Sequence, residues 1–189
     1  KSTTSTEVKP RPTILLDRDG TINLDTGHVY TLGDWRYLDG VHDALRSLQA
    51  EGFALAVVTN QSAVSDGRTS REQVERLHHH MTETLAAAGI HIAAVAYCPH
   101  ARDAGCACRK PRTGLFSEIE RRIGPIDRAA SWMVGDKPSD IGFGQALGLR
   151  TALIRSRYWD AATLEARPDL IIDSLLEFAH RHRECDLSA

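Results

Sequence analysis

The chain of 189 residues reads as an α/β protein, a doubly wound parallel sheet in a single domain. Short apolar runs, at 13–17, 53–58, 92–97, 129–134, 151–154 and 170–172, alternate with stretches whose apolar residues recur at helical spacing. The longer runs are nearly continuous rather than alternating, as in strands covered on both faces. Three of them end abruptly in polar or acidic motifs, where open α/β sheets place their ligand sites.

In order, residues 1–12 are polar with two prolines and are expected to form a disordered leader, so the domain spans 13–189. The first strand covers 13–17 and stops at Asp17-Arg18-Asp19-Gly20-Thr21. Residues 20–37 show no clean period and read as a loop or short hairpin over the strand end. Asp39-Gly40 opens a helix at 41–51, with Val41, Ala44, Leu45 and Leu48 on one face and Gly52 as the stop. The second strand, 53–58, runs into Thr59-Asn60-Gln61-Ser62. A long helix at 70–88, capped by Thr69 or Ser70, ends at Gly89. His78, His79 and His80 fall on it consecutively; neighbours on a helix point apart, so solvated surface is expected rather than a metal cluster. A strand at 92–97, an irregular loop at 98–110 and a helix at 113–123 follow. The fourth strand, 129–134, leads into Gly135-Asp136-Lys137-Pro138-Ser139-Asp140 and a helix to about 147. Two short strands and a helix near 174–182 close the chain.

Composition narrows the function. Hydrophobic residues at 42% and charged residues at 25% suit a folded soluble domain rather than a disordered chain. A net charge of −2 supplies no basic field for nucleic acid or a membrane surface, so an anionic substrate needs local cations. No apolar run approaches membrane-spanning length and no signal-peptide pattern precedes the first strand, so a cytoplasmic protein is expected. Only four residues are lysines, two of them in the leader; the others, Lys110 and Lys137, lie inside motifs, where a compact ammonium differs chemically from the arginines used elsewhere.

Asp17 and Asp19 repel unless a cation or shared proton offsets them, and an all-oxygen site favours Mg²⁺. A strand ending in an Asx turn gives the same bare Asp-x-Asp. TNQS is by itself an ordinary polar turn, although its hydroxyls and backbone N–H groups can hold phosphate oxygens. Cys98, His100, Cys106 and Cys108 can complete a tetrahedral Zn²⁺ site. The alternative is a disulfide or scattered buried thiols. With four protein ligands the zinc is expected to be structural, bracing the loop that delivers Arg109 and Lys110; Cys185 stands apart.

Asp17-x-Asp19-Gly20-Thr21 behind an apolar strand, Thr59-Asn60, Lys110 and Gly135-Asp136-x-x-x-Asp140, in that order, resemble the four motifs of the haloacid dehalogenase (HAD) superfamily of phosphatases. That implies a HAD-like Rossmannoid sheet without a large cap domain and with a zinc-binding loop insertion. DRDGTIN, the flap Asp25-x-Gly27-x-Val29, TNQS and the CPH…CxCRKP loop narrow the resemblance to the zinc-containing heptose-bisphosphate phosphatases, with the histidinol-phosphate phosphatases as close relatives. The flap and Ser62 after Gln61 favour the former. Two departures bear on the pocket rim: only five residues separate His100 from Cys106, and His28 and Tyr30 occupy positions where relatives more often carry Tyr then His.

The resemblance implies that Asp17 is the nucleophile and Asp19 the general acid and base. It implies Mg²⁺ on Asp17, Asp136 and the Asp19 backbone carbonyl, with Asp140 in support. Thr59, Arg109 and Lys110 would steady the phosphoryl group, while Asp25, Thr26, Gly27, His28, Asn60, Gln61, Ser62 and Lys137 would contact a small phosphorylated sugar, losing its 7-phosphate to a monomeric enzyme. A zinc-braced binding module without catalysis is the non-enzymatic alternative.

Overall fold

The computed structural model describes residues 8–184. Six strands form one parallel sheet in the order β3-β2-β1-β4-β5-β6. They are β1 Thr13–Leu16, β2 Ala54–Asn60, β3 Ile92–Cys98, β4 Trp132–Gly135, β5 Arg150–Ile154 and β6 Leu170–Ile172. The helices are α1 Val41–Ala50, α2 Arg71–Ala87, α3 Gly114–Ile123, α4 Pro138–Ala146 and α5 Leu175–Arg181.

All four residues of β1 are buried because both faces of the sheet are covered. Ile14 and Leu16 pack with apolar residues of α1, α2 and α5; Leu15 faces the opposite way, toward Leu115, Phe116 and Ile119 of α3 and Phe143 of α4. Side chains alternate faces along a strand, so one apolar run serves two cores. Each fully buried leucine here is worth roughly 1.5–3 kcal/mol of transfer from water. The chain winds outward from β1 through β2 to β3, then returns to place β4 on the other side of β1. That reversal lies between β1 and β4, and their C-terminal ends carry Asp17 and Asp136.

Several local expectations are corrected. β2 continues through Asn60, because Thr59 and Asn60 pair with Tyr97 and Cys98 of β3. β4 starts at Trp132 rather than at residue 129: Ser131 Oγ accepts the Thr13 N–H at 2.9 Å, so a side chain replaces the ladder there. Residues 20–37 hold only isolated bridges and a 3-10 turn, Leu32–Asp34, so of the two expected forms, loop or short hairpin, they take the loop. Asp34 fixes that turn by accepting from the Tyr30 and Thr31 N–H groups. A second short 3-10 turn, Ala161–Thr163, carries no apolar stripe to announce it. Of the expected leader, residues 1–7 lie outside the described residues, as does Cys185, while Arg11 and Pro12 are bonded to Pro125, Asp127 and Ala54. His78, expected on solvated surface with His79 and His80, is 7% exposed.

Candidate active site

The ends of β1, β2 and β4, the loop before α3 and the start of α4 enclose a cavity of about 430 Å³. Asp17, Asp19, Thr59, Asn60, Ser62, Arg109, Lys110, Lys137 and Asp140 all line it, so these sequence-predicted residues meet at one place. Asp17 follows β1 directly and is 4% exposed, its N–H donating to the Val134 carbonyl of β4 at 2.9 Å. Lys110, 3% exposed, spends its three donors on Asp17 Oδ1 at 3.0 Å, Asp140 Oδ1 at 2.6 Å and the Val58 carbonyl at 2.6 Å. Burial works against the charge on each of these groups. The ammoniums of Lys110 and Lys137 nonetheless hold Asp17 below the usual carboxylate range, and the carboxylates of Asp140 and Asp17 hold Lys110 above the usual amine range.

Two glycines make this approach possible. A side chain at Gly135 would collide with the Asp140 carboxylate. Gly20 has φ +80° and leaves no room for a Cβ beside the Asp136 carboxylate. Asp140, fully buried in the first turn of α4, accepts from Lys110 through Oδ1 and from the Lys137 N–H at 3.0 Å through Oδ2. Asn60 clamps the segment bearing Lys110: its Oδ1 accepts the Lys110 N–H at 3.0 Å and its Nδ2 donates to the Lys110 carbonyl at 3.2 Å.

Lys137 Nζ lies 3.1 Å from Asp136 Oδ1, 3.4 Å from Asp25 Oδ2 and 3.8 Å from Asp17 Oδ2, and 4.4 Å above the Tyr158 ring. Burial and the neighbouring Asp17 charge push Asp136 up to about 8, against the pull of Lys137. Carboxylate oxygens of Asp17, Asp136 and Asp140 lie within 4.8 Å of one another. Three carboxylates thus face two ammoniums, and the surplus negative charge with its all-oxygen donor set suits a hard divalent cation such as Mg²⁺. Both Asp140 oxygens are already engaged, which leaves Asp17 and Asp136 as the side chains able to hold it.

Asp19 is held differently. Its Oδ1 accepts from Arg18 Nε at 3.1 Å, Arg18 Nη2 at 2.9 Å and Asn23 Nδ2 at 2.9 Å; its Oδ2 accepts from Arg18 Nη2 and Gln61 Nε2, both at 2.9 Å. Gln61 also donates to Thr59 Oγ1 at 3.1 Å, so within the structure it props neighbouring groups. A second, smaller cavity of about 210 Å³ adjoins the first, sharing Asp19, Asn60, Ser62, Arg102, Lys137 and Tyr158 as walls and adding Asp25, Gly27 and Gln61. Thr26 and His28 are exposed on the flap and line neither cavity.

Sequence reasoning missed four contributors. Arg18 is fully buried beside Asp19, and His78 stands behind it. Tyr158 donates to Asp25 Oδ2 at 2.7 Å, and Arg102 lines both cavities. Only His78 left a signal, its place on the apolar stripe Val74, Leu77, His78, Met81, Leu85 of α2.

Cys98, His100, Cys106 and Cys108 cluster at the rim. Cys106 Sγ is 3.6 Å from both Cys98 Sγ and Cys108 Sγ, and His100 Nδ1 is 3.6 Å from Cys98 Sγ and 3.1 Å from Cys108 Sγ. The three cysteines are free, and these separations rule out a disulfide, whose sulfurs sit about 2.05 Å apart. Thiolates about 2.3 Å from a tetrahedral zinc lie about 3.8 Å from each other, so the cluster could hold that ion with little adjustment. Burial raises all three thiols; hydrogen bonds from Cys98, the Arg109 N–H, Cys108 and His100 reverse this at Cys106 and bring it to about 6, while Cys108 rises to about 12.

Residues 107–178 match the HAD-hydrolase-like family. A D-glycero-β-D-manno-heptose-1,7-bisphosphate 7-phosphatase of Yersinia pestis is 38% identical over 174 residues, covering 88% of this chain and 92% of that protein. The Escherichia coli (strain K12) protein of the same name is 38% identical over 177 residues, with 89% and 92% covered. The D,D-heptose 1,7-bisphosphate phosphatase of B. bronchiseptica, solved with magnesium and phosphate, superposes with a TM-score of 0.80 at 28% identity, covering 92% of this chain and 98% of that one. Among the described residues no helix is long and apolar enough to cross a membrane.

Proposed function

The chain belongs to the heptose-1,7-bisphosphate 7-phosphatases of the HAD-like hydrolases, and on that basis we propose that it removes the 7-phosphate of D-glycero-β-D-manno-heptose 1,7-bisphosphate through an aspartyl-phosphate on Asp17. The observation that carries the assignment of the nucleophile is the Asp17 carboxylate, held at Oδ1 by Lys110 while its side chain lines the cavity with Asp19, Thr59, Arg109 and Lys137.

Asp17 attacks phosphorus in line; the P–O bond to the sugar breaks, and the departing oxygen takes a proton from the Asp19 carboxyl. Asp19, now a carboxylate, removes a proton from the water that attacks the aspartyl-phosphate, and inorganic phosphate leaves. Thr59 Oγ1 and Arg109 orient the transferring oxygens, while Lys110, its three donors already engaged, offsets the charge on Asp17 throughout. Magnesium, when bound by Asp17, Asp136 and the Asp19 backbone carbonyl, supplies further positive charge against carboxylate and phosphoryl group. Asp140 keeps Lys110 and the start of α4 in place. The sugar lies along the adjoining cavity, within reach of Asp25, Gly27, Asn60, Ser62 and Lys137, with Thr26 and His28 on the flap above. Zinc held by Cys98, His100, Cys106 and Cys108 would serve structure alone, since four protein ligands would complete a tetrahedral shell. One chain supplies every group in this scheme, and we infer that the enzyme acts as a monomer.

Phosphate release with Mg²⁺ from the heptose bisphosphate and from histidinol phosphate, compared at equal concentration, tests the substrate. Faster turnover of the heptose is expected; preference for histidinol phosphate would overturn the reading. Mass-spectrometric trapping of a phosphoryl adduct on Asp17 tests the intermediate.

A further inference from the structure

Arg18, between the two catalytic acids, is the largest charged side chain that the fold buries completely. Its Nε and Nη2 grip Asp19, its Nη1 lies 3.2 Å from His78 Nε2 on α2, and its guanidinium carbon sits 5.8 Å from the centroid of the Trp35 ring. Arginine has no acceptor, so it is the donor to His78 and the imidazole must be unprotonated at Nε2. Burial and the guanidinium charge lower His78 to about 3, keeping it an acceptor across the working pH range. Tyr97 packs edge-on against His78 at 5.3 Å and is tied through its hydroxyl to Glu75, so the imidazole is held as well. A charge buried at such cost persists where geometry is the return.

We propose that Arg18 is a positioning residue for the acid and base Asp19, and that His78, by accepting a hydrogen bond from Nη1, fixes the guanidinium that does the positioning. This rests on the role given to Asp19 above and adds what sets its orientation. Asp17 follows β1 directly and Asp19 lies just beyond a bend at Arg18; the bidentate grip of Arg18, with Asn23 and Gln61, gives the Asp19 carboxylate a single direction relative to the nucleophile. Lysine cannot make this contact, because a single ammonium cannot span two carboxylate oxygens and an imidazole in one plane.

Leaving groups separate positioning from mere structural support. A sugar hydroxylate needs the Asp19 proton to depart, whereas 2,4-dinitrophenolate leaves without one. In first-turnover kinetics with Mg²⁺, Arg18→Lys is expected to slow phosphoryl transfer from the heptose bisphosphate by about 100-fold. The dinitrophenolate burst should stay within about threefold of wild type. His78→Leu should slow the sugar reaction by roughly tenfold, and His78→Gln, which keeps an acceptor at similar reach, should restore most of it. These two variants retain the test if Arg18→Lys folds poorly. Parallel losses on both substrates, or His78→Leu matching wild type on the sugar, would overturn the proposal. Failure to trap a phosphoryl adduct on Asp17 of the wild-type protein would instead overturn the aspartyl-phosphate reading on which it rests.

Discussion

Two side-chain clusters meet along the Cys98–Lys110 loop and are held in opposite ways. At the strand ends, every charged group has a protein partner: Asp17 and Asp140 share Lys110, Asp140 also caps the Lys137 N–H, and Asp19 takes all its bonds from Arg18, Asn23 and Gln61. At the rim, Cys98, His100, Cys106 and Cys108 contact mainly one another, on a loop whose internal backbone bonds are sparse. The catalytic geometry is therefore tied together by protein partners, whereas the thiol cluster is the part of the rim that a zinc ion would brace. The Asn60 clamp on Lys110 marks the border between the two regimes.

The largest effect expected is functional. Asp17→Asn should lower turnover by about 10⁴-fold or more while moving the melting temperature little, because the amide keeps the shape and the other bonds around Lys110 persist. Phosphate release and thermal melts check this, and substantial residual turnover would remove Asp17 as nucleophile. Lys110→Met should cost activity and also about 3–5 kcal/mol in urea unfolding, since it strands two buried carboxylates. A small stability loss there would break the contrast, by showing that the acids do not depend on their lysine. Stripping zinc with a chelator, or Cys106→Ser, should lower stability by roughly 2 kcal/mol and the melting temperature by about 4–8 °C. Activity should fall less than in the Lys110 variant, because Asn60 keeps its hold. Zinc content by atomic absorption in the untreated protein is the accompanying control.

The smallest effect is a pH slope. His78 is lowered from 6.5 to about 3, so the unfolded chain takes a proton in that window that the folded protein refuses. Stability from this site is complete above pH 6.5 and declines as pH falls toward 3, by about 1.4 kcal/mol per unit. The difference between wild type and His78→Gln in urea unfolding should therefore shrink by about 1 kcal/mol between pH 6.5 and 5.5, where the unfolded imidazole is still titrating, and by the full slope below that. An unchanged difference would mean that His78 is solvated after all.

Much of this organisation was legible in the chain. The apolar runs announced strands, and acids or amides at their ends announced the cavity, because a parallel sheet must bury both faces and open only at its edges. The thiol loop was legible because spacing alone brings the ligands together. The prop beneath Asp19 was not. Arg18 on a strand-end motif looks like a solvent-facing charge, and three histidines in a row suggested a wet helix face, although His78 falls in register with Leu77 and Met81. Tyr158 escaped for another reason: it reaches Asp25 across 133 residues, a pairing that only the β5–β6 connection creates.

The two-way amide grip of Asn60 has a consequence for how such cleft rims diversify. Since the ammonium is anchored at the loop's exit, insertions and deletions upstream of it can lengthen or trim the lip without re-siting the cation. The five residues between His100 and Cys106 can then change in length or kind and reshape the doorway while the chemistry indoors stays as it was.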